Sequence, residues 1–87
     1  MITTMTTNDQ RRFDYMIAGR LATFRQARGM TQADVAKVTG LSIGSIGRFE
    51  RACGRPCLAN LMKLCAALDC TPNDILVDDG VTLRLVQ

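Results

Sequence analysis

The sequence predicts an all-α domain made of five short helices. Apolar residues recur at helical spacing early in the chain, where Phe13, Ile17, Leu21 and Phe24 are separated by four, four and three positions. Capping residues and glycines divide the chain into segments of helix length. The 87 residues, 47% of them hydrophobic and 22% charged, are enough for one small domain with a modest core.

The first helix is predicted to follow a flexible N-terminal segment over residues 1–8. Asn8 is a suitable N-cap for a helix that begins at Asp9, because its side-chain oxygen can accept from a free backbone N–H. Gly29 is expected to end this helix.

The second helix begins with a capping-box pattern formed by Thr31 and Asp34. Gly40 is expected to end it, because glycine adopts a left-handed conformation without strain. The residues expected to be buried on this helix are Ala33, Val35, Ala36 and Val38.

The third helix is predicted to span residues 43–50, with Ser42 as its N-cap. Ile46 and Phe49 are three residues apart and are expected to face the core. The opposite face then carries Ile43, Gly44, Gly47, Arg48 and Arg51, with Ser45 at its edge.

The fourth helix is predicted to open at Pro56 or Cys57, and a fifth follows Thr71 with Pro72 at its first position. The apolar stripe of the fourth helix consists of Leu58, Leu61, Met62, Leu64, Cys65 and Leu68. Together the five helices form one domain over residues 9–77.

The last segment, residues 78–87, is predicted to be a turn followed by a short strand. Val81, Leu83 and Leu85 alternate with other residues, which is typical of a strand. Pairing with the same strand of a second copy would satisfy its open edge and form a homodimer. A disordered tail is the alternative.

The composition argues against an enzyme. The chain has no His, which is the commonest general base and metal ligand, and it has no glycine-rich phosphate loop, so neither a cofactor nor a metal is expected. Cys53, Cys57, Cys65 and Cys70 lack zinc-site spacing. The last two fit core positions, whereas the first two flank a basic loop and are interpreted either as inert thiols or as a redox switch.

The chain is expected to be cytoplasmic and to have no membrane association. Its first seven residues are mostly Thr and lack the basic segment and apolar run of a secretory signal. Its longest uncharged run, residues 38–47, is too short to span a bilayer.

The positive charge is concentrated in the middle of the chain. The net charge is +3, but residues 35–68 carry five cations against the single acid Glu50, whereas residues 69–87 carry four Asp against Arg84. Nine of the eleven cations are Arg, which suits phosphate and guanine contacts. A basic middle indicates a polyanion-binding face, and a plain solvated face is the alternative.

Residues 25–50 describe two short helices joined by a tight turn, which is the geometry of a helix-turn-helix. The residues that carry this pattern include Arg25, Gly29, Thr31, Gln32, Ala36, Gly40, Ser42, Ile46 and Glu50. The stretch strongly resembles the phage-repressor and Cro type of helix-turn-helix, the xenobiotic-response-element family, and the resemblance extends over residues 17–76. It implies a five-helix, lambda-repressor-like domain whose partner is double-stranded DNA.

The resemblance also implies roles for individual residues. Gln32 is expected to bind a DNA phosphate, and Arg25 is expected to form a structural ion pair with Glu50 and to be a further phosphate candidate. The positions expected to contact bases are Ile43, Gly44, Ser45, Gly47 and Arg48. The other side chains suited to phosphates are Ser42, Arg51 and Arg55.

The base-contacting positions depart from the family pattern, in which long polar side chains are common. Ile43 cannot hydrogen-bond to a base but can contact a thymine methyl group, and Arg48 is suited to guanine. Gly44 and Gly47 each cost roughly 1 kcal/mol relative to Ala in a helix. They indicate either a close approach of the backbone to DNA or a tolerant surface.

The sequence therefore predicts a sequence-specific transcriptional regulator, a repressor that binds a pseudo-palindromic operator as a homodimer by inserting helix 43–50 into the major groove. The alternative is a protein-interaction module on the same fold, such as the antitoxin of a toxin–antitoxin pair. In that case DNA binding is secondary and the partner is a toxin or a polymerase.

Overall fold

The computed structural model describes residues 6–77 of the chain. The predicted all-α fold is confirmed, and the described range contains no strand. The predicted dimer strand with Val81, Leu83 and Leu85 lies outside the described residues. The five helices are α1 (Thr7–Ala27), α2 (Gln32–Thr39), α3 (Ile43–Glu50), α4 (Leu58–Leu68) and α5 (Pro72–Leu76).

Helix α1 begins earlier than the sequence predicts, because Thr6 rather than Asn8 is its N-cap. The Thr6 hydroxyl accepts from the Asp9 N–H at 3.1 Å, and the Asp9 carboxylate accepts from the Thr6 N–H at 3.0 Å. This reciprocal arrangement is a capping box, and it fixes the start of the helix two residues before the predicted position.

Helices α2 and α5 begin with the same arrangement. Thr31 with Asp34 and Thr71 with Asp74 each form a capping box, and Pro72 occupies the first turn of α5 as predicted. In both boxes the hydrogen bond from the threonine backbone N–H lowers the pKa of the aspartate. Gly40 ends α2 with a φ of +76°, a conformation that favours glycine.

The core takes side chains from all five helices, most of them from α1 and α4, with Val35 from α2, Ile46 from α3 and Ile75 from α5. Its fully buried side chains with the largest volumes are Ile46, Leu68, Ile75 and Val35. Helix α3 packs between α1 and α2, so its orientation depends on both.

Four apolar residues that the sequence placed in the core are exposed instead. The side of α2 that is covered carries Val35 with the half-buried Ala36 and Thr39, whereas Val38 lies about 60° round the helix from Val35 in the opposite direction. The corrected residues are Ala33 and Val38 on α2, and Leu58 and Met62 on α4. Leu58 belongs to the first turn of α4, where it is 74% exposed.

The loop after α3 turns sharply, because Ala52 has a φ of +59°.

Arg28, at the end of α1, donates to the carbonyl oxygens of Leu68 and Asp69 at the end of α4, each at 3.0 Å. This contact ties α1 to α4 and places a cation at the negative end of the α4 dipole. Within residues 6–77, every helix is too short or too polar to cross a membrane.

Candidate nucleic-acid interface

The solvent face of α3 combines an apolar side chain, a bare stretch of backbone and a cation. Ile46 is 2% exposed and anchors the opposite face in the core. Ile43 is 55% exposed, and Gly44 and Arg48 are also exposed. No acidic group among residues 6–77 lies within ion-pair distance of Arg48. The side chain of Arg48 is therefore available to a ligand.

The first turn of α3 carries two serine hydroxyls in contact. The Ser42 Oγ accepts from the Ser45 N–H at 3.1 Å and donates to the Ser45 Oγ at 2.9 Å. The structure thus confirms Ser42 as the N-cap. No described residue accepts from the Ser45 hydroxyl, so its proton is available to an acceptor outside the molecule.

A polar cluster of Arg25, Gln32 and Glu50 joins three helices beneath this face. The Arg25 Nε donates to the Glu50 carboxylate at 2.7 Å and its Nη2 donates at 3.1 Å, while the Gln32 Nε2 donates to the same carboxylate at 3.1 Å. The side chains of Arg25 and Glu50 are only 14% and 8% exposed. The hydrogen bonds that Arg25 donates to Glu50 raise the pKa of Arg25.

This cluster fixes the end of α3 relative to α1 and α2. Arg25 also donates to the Met30 carbonyl oxygen at 2.8 Å, so its guanidinium is directed into the protein. The structure brings Arg25 and Glu50 together in the ion pair that the sequence predicted. It directs Arg25 away from a phosphate contact, which stays a prediction without structural support.

Gln32 lies at the N-terminus of α2, where helix backbone groups remain unpaired. Its side-chain amide is occupied in part by Glu50. The backbone N–H groups of Gln32 and Ala33 donate to no acceptor among residues 6–77. Such groups, together with the helix dipole, bind anions. The phosphate role of Gln32 stays a prediction, and the backbone of this turn could supply much of the contact.

Gly47 departs from its predicted environment, because it is buried rather than exposed. The guanidinium of Arg51, one turn later on the chain, lies over it. A Cβ atom at position 47 would lie 2.8 Å from the Arg51 Nη1 and 3.6 Å from the Gln32 Oε1. Helical periodicity places Gly47 on the exposed face, because it does not show that a neighbouring side chain can bury a residue. Long side chains such as that of Arg51 can lie along a helix instead of extending into solvent.

Arg55 forms an ion pair within the fold that the sequence did not predict. Its Nε and Nη2 donate to the two carboxylate oxygens of Asp14 on α1, at 2.7 and 3.1 Å. This bidentate pair raises the pKa of Arg55 and partly neutralises its charge. A phosphate contact by Arg55 would compete with Asp14, and it stays a prediction.

A model of the Cro/C1-type HTH DNA-binding domain matches residues 20–79, which is most of the chain and includes α2 and α3 in full. The chain belongs to the Cro/C1-type helix-turn-helix DNA-binding family. The predicted family resemblance is thereby confirmed. Helix α3 corresponds in position to the second helix of the helix-turn-helix, the element that contacts bases in this kind of domain.

Solved structures of regulators resemble this Cro/C1-type domain. The restriction-modification controller protein C.AhdI from Aeromonas hydrophila is 32% identical, with a TM-score of 0.69, over 71% of this chain and 94% of its own. An HTH_3 family transcriptional regulator from Vibrio cholerae is 29% identical, with a TM-score of 0.72, over 79% of this chain and 39% of its own.

The hypothetical transcription factor NHTF from Neisseria has the same fold, with a TM-score of 0.74 and 24% identity over 98% of this chain and 97% of its own. No curated protein matches the chain. The family and the regulators together identify this Cro/C1-type protein as a DNA-binding transcriptional regulator.

The sequence missed two side-chain contacts between distant segments of the Cro/C1-type domain. Asp14 holds Arg55, and Arg28 holds the end of α4. Each contact joins residues about 40 positions apart in the chain, so no local spacing marks it.

The cysteines separate into two environments. Cys53 and Cys57 are exposed in the loop after α3, whereas Cys65 is buried and Cys70 half-buried. Burial, together with the neighbouring Cys65, raises the pKa of Cys70 to about 12. Cys70 therefore stays a protonated core thiol at neutral pH, and the redox role of Cys53 and Cys57 stays a prediction.

Proposed function

We propose that the protein is a repressor that binds a pseudo-palindromic operator as a homodimer and inserts α3 into the major groove. The observation that carries this proposal is the solvent face of α3. Ile43 and Arg48 project from a helix whose far end is fixed by the Arg25–Glu50 ion pair. A rigidly held helix with an exposed cation is suited to base contacts.

The division of roles within this proposal follows the chemistry of each side chain. Arg48 donates to guanine O6 and N7, Ile43 contacts a thymine methyl group, and the Ser45 hydroxyl donates to a base acceptor. The bare backbone at Gly44 lets the helix approach closely. Ser42, Arg51 and the first turn of α2 at Gln32 contact phosphates and set the register.

Likeness to the controller protein C.AhdI supports a small regulator of the same kind. The match covers 94% of that protein, so it includes nearly the whole of a molecule described as a restriction-modification controller. None of these three structures is described with a toxin or a polymerase, so the alternative of an antitoxin gains no support from them.

Selection of binding sites from random double-stranded DNA tests the proposal. We expect one enriched sequence with two-fold symmetry, with half-sites roughly 10 bp apart or a multiple of that spacing. Affinity for that site should fall steeply with salt. In a plot of the logarithm of the binding constant against the logarithm of the salt concentration, each phosphate contacted should contribute about −0.9 to the slope. Binding of random DNA as tightly as any selected site would exclude sequence-specific regulation.

The repressor role needs a separate measurement. A promoter that overlaps the selected operator should be transcribed less in the presence of the protein, because occupancy excludes polymerase. A rise in transcription would identify an activator instead, and the DNA-binding part of the proposal would stand.

A further inference from the structure

The side chain of Arg51 occupies an unusual position for an exposed arginine. It belongs to the residue that caps the end of α3, yet it folds back over Gly47. The Arg51 Nη1 and the Gln32 Oε1 both lie within 3.6 Å of the point where a Cβ of residue 47 would be. Gly47 thus lies below a place where α3 and the N-terminus of α2 meet.

The position of Arg51 requires the absence of a side chain at position 47. A Cβ atom 2.8 Å from the Arg51 Nη1 is closer than non-bonded atoms approach in proteins, so an alanine would make this end of the flexible arginine side chain shift. The other helical glycines do not have this property. A Cβ at Gly44 would have only the Ser42 Oγ nearby, at 3.9 Å, and one at Gly19 would have nothing within 4 Å.

We propose that Gly47 is a positioning residue that holds the Arg51 guanidinium across α3, beside the N-terminus of α2, as a preorganised ligand for a DNA phosphate. The inference rests on the proposed function. The sequence suggested that Gly47 lets the backbone approach DNA closely. In this proposal Gly47 acts instead through the position of Arg51.

The groups at the N-terminus of α2 and the Arg51 guanidinium are together suited to binding one phosphate group. The unpaired N–H groups of Gln32 and Ala33 and the positive end of the α2 dipole are suited to an anion, and a guanidinium adds charge-assisted donors. Because Arg51 already lies along the helix, less side-chain entropy is lost when it binds. An arginine extended into solvent would have to be ordered first.

A double-mutant cycle tests this proposal, with affinity for the selected operator measured over a salt series. We expect Gly47→Ala to weaken binding about 3- to 10-fold, the cost of ordering one long side chain, with the salt slope unchanged because the charge remains. Arg51→Ala should weaken binding and reduce the salt slope by about 1. Adding Gly47→Ala to Arg51→Ala should change nothing further.

Gly19→Ala is the matched control, because Gly19 is an exposed glycine inside α1. Both alanine variants should raise Tm by about 4–8 °C, since alanine is the better helix former, so weaker binding by Gly47→Ala cannot come from unfolding. Gly19→Ala should bind like the wild type.

Two results would overturn the inference. One is unchanged affinity for Gly47→Ala. The other is that Gly47→Ala weakens operator binding by the same factor in the Arg51→Ala protein as in the wild type, because that loss of affinity would come from a direct clash with DNA. A wild-type protein that prefers no sequence would instead refute the proposed function, so the two failures are distinguishable.

Discussion

Arg48 is the residue on which sequence discrimination is expected to depend most. Its side chain is exposed on α3 and is free of acidic partners among residues 6–77. Arg48→Ala should cost roughly 1–3 kcal/mol at one base pair of the operator and relax the preference there. Affinities for operators with single base changes measure this effect.

The matched variant for Arg48→Ala is Arg51→Ala, which removes the same charge from the same helix. It should weaken all of these operators by one common factor, because a phosphate contact carries no base information. If Arg48→Ala also weakens every operator equally, Arg48 contacts the backbone of the DNA and not a base.

Ala52 is held in a conformation that a smaller residue would adopt more easily. Its φ of +59° lies in the left-handed region, where a Cβ atom is strained. Ala52→Gly should raise the free energy of unfolding by about 1 kcal/mol in urea titrations. Ala66→Gly, on the exposed side of α4, should lower it by about 1 kcal/mol. Loss of stability in both variants would contradict the strain at Ala52.

Residue identities at the interface were more predictable from the sequence than their partners. Ser42 follows a local spacing rule, and the structure confirms it as a cap. The cover of Gly47 by Arg51 and the pairing of Arg55 with Asp14 depend on rotamers and on contacts between distant segments. Periodicity contains no information on either.

At the scale of the helices, the cluster of Arg25, Gln32 and Glu50 is expected to determine how α3 sits on the domain. Glu50→Ala leaves the largely buried Arg25 side chain without its carboxylate, which should cost roughly 3 kcal/mol of unfolding free energy. Urea unfolding followed by circular dichroism measures this change. Replacing both charged residues, as in Arg25→Met with Glu50→Leu, should recover much of the loss, because no unpaired charge remains.

A cost below about 1 kcal/mol for Glu50→Ala would show that the ion pair behaves as an exposed one. In that case packing of Ile46 and Phe49 against the core would position α3, and the cluster would be dispensable for the orientation of the helix.

The capping boxes of α2 and α5 make helix stability depend on acid. The pKa values of Asp34 and Asp74 are lowered in the fold, so these carboxylates stabilise it above their unfolded pKa near 4, and this contribution disappears as the pH falls through the folded pKa. The Tm of the wild type should therefore fall as the pH drops from about 5 to 2.

The variant with Asp34→Asn and Asp74→Asn should show a flatter dependence of Tm on pH over the same range, because its α2 and α5 caps do not titrate. Thermal unfolding at a series of pH values compares the two proteins. Parallel curves would mean that other carboxylates control acid unfolding.

Helix boundaries were predictable wherever a local signal marks them, and burial was less so. Gly40, Thr31 and Thr71 act at the predicted ends of helices. Whether Val38 is covered depends on how much of α2 the neighbouring helices reach, and the apolar character of a residue cannot show that.

Over the whole molecule, pairing within the fold reduces the number of cations available to DNA. Arg25 pairs with Glu50, Arg28 with Asp69 and Arg55 with Asp14. Arg48 and Arg51 form no ion pair within residues 6–77, and both lie on or at the end of α3. Lys37 on α2 and Lys63 on α4 also form no ion pair within residues 6–77, so Arg55 is the one cation of residues 35–68 that such a pair partly neutralises. Arg48 and Arg51 give α3 a positive patch, which favours docking of that helix on DNA.

A homodimer would place two copies of this patch on one operator, and the proposed dimer strand over residues 81–85 allows a direct test. Leu83→Asp would put a charge on the apolar face of that strand, whereas Thr82→Asp adds the same charge on the other face. Sedimentation equilibrium should give a monomer for Leu83→Asp and a dimer for Thr82→Asp. Affinity of Leu83→Asp for the full operator should fall to that for a half-site, because the second α3 is no longer linked to the first. A Leu83→Asp protein that remains dimeric would instead place the dimer contact elsewhere on the domain.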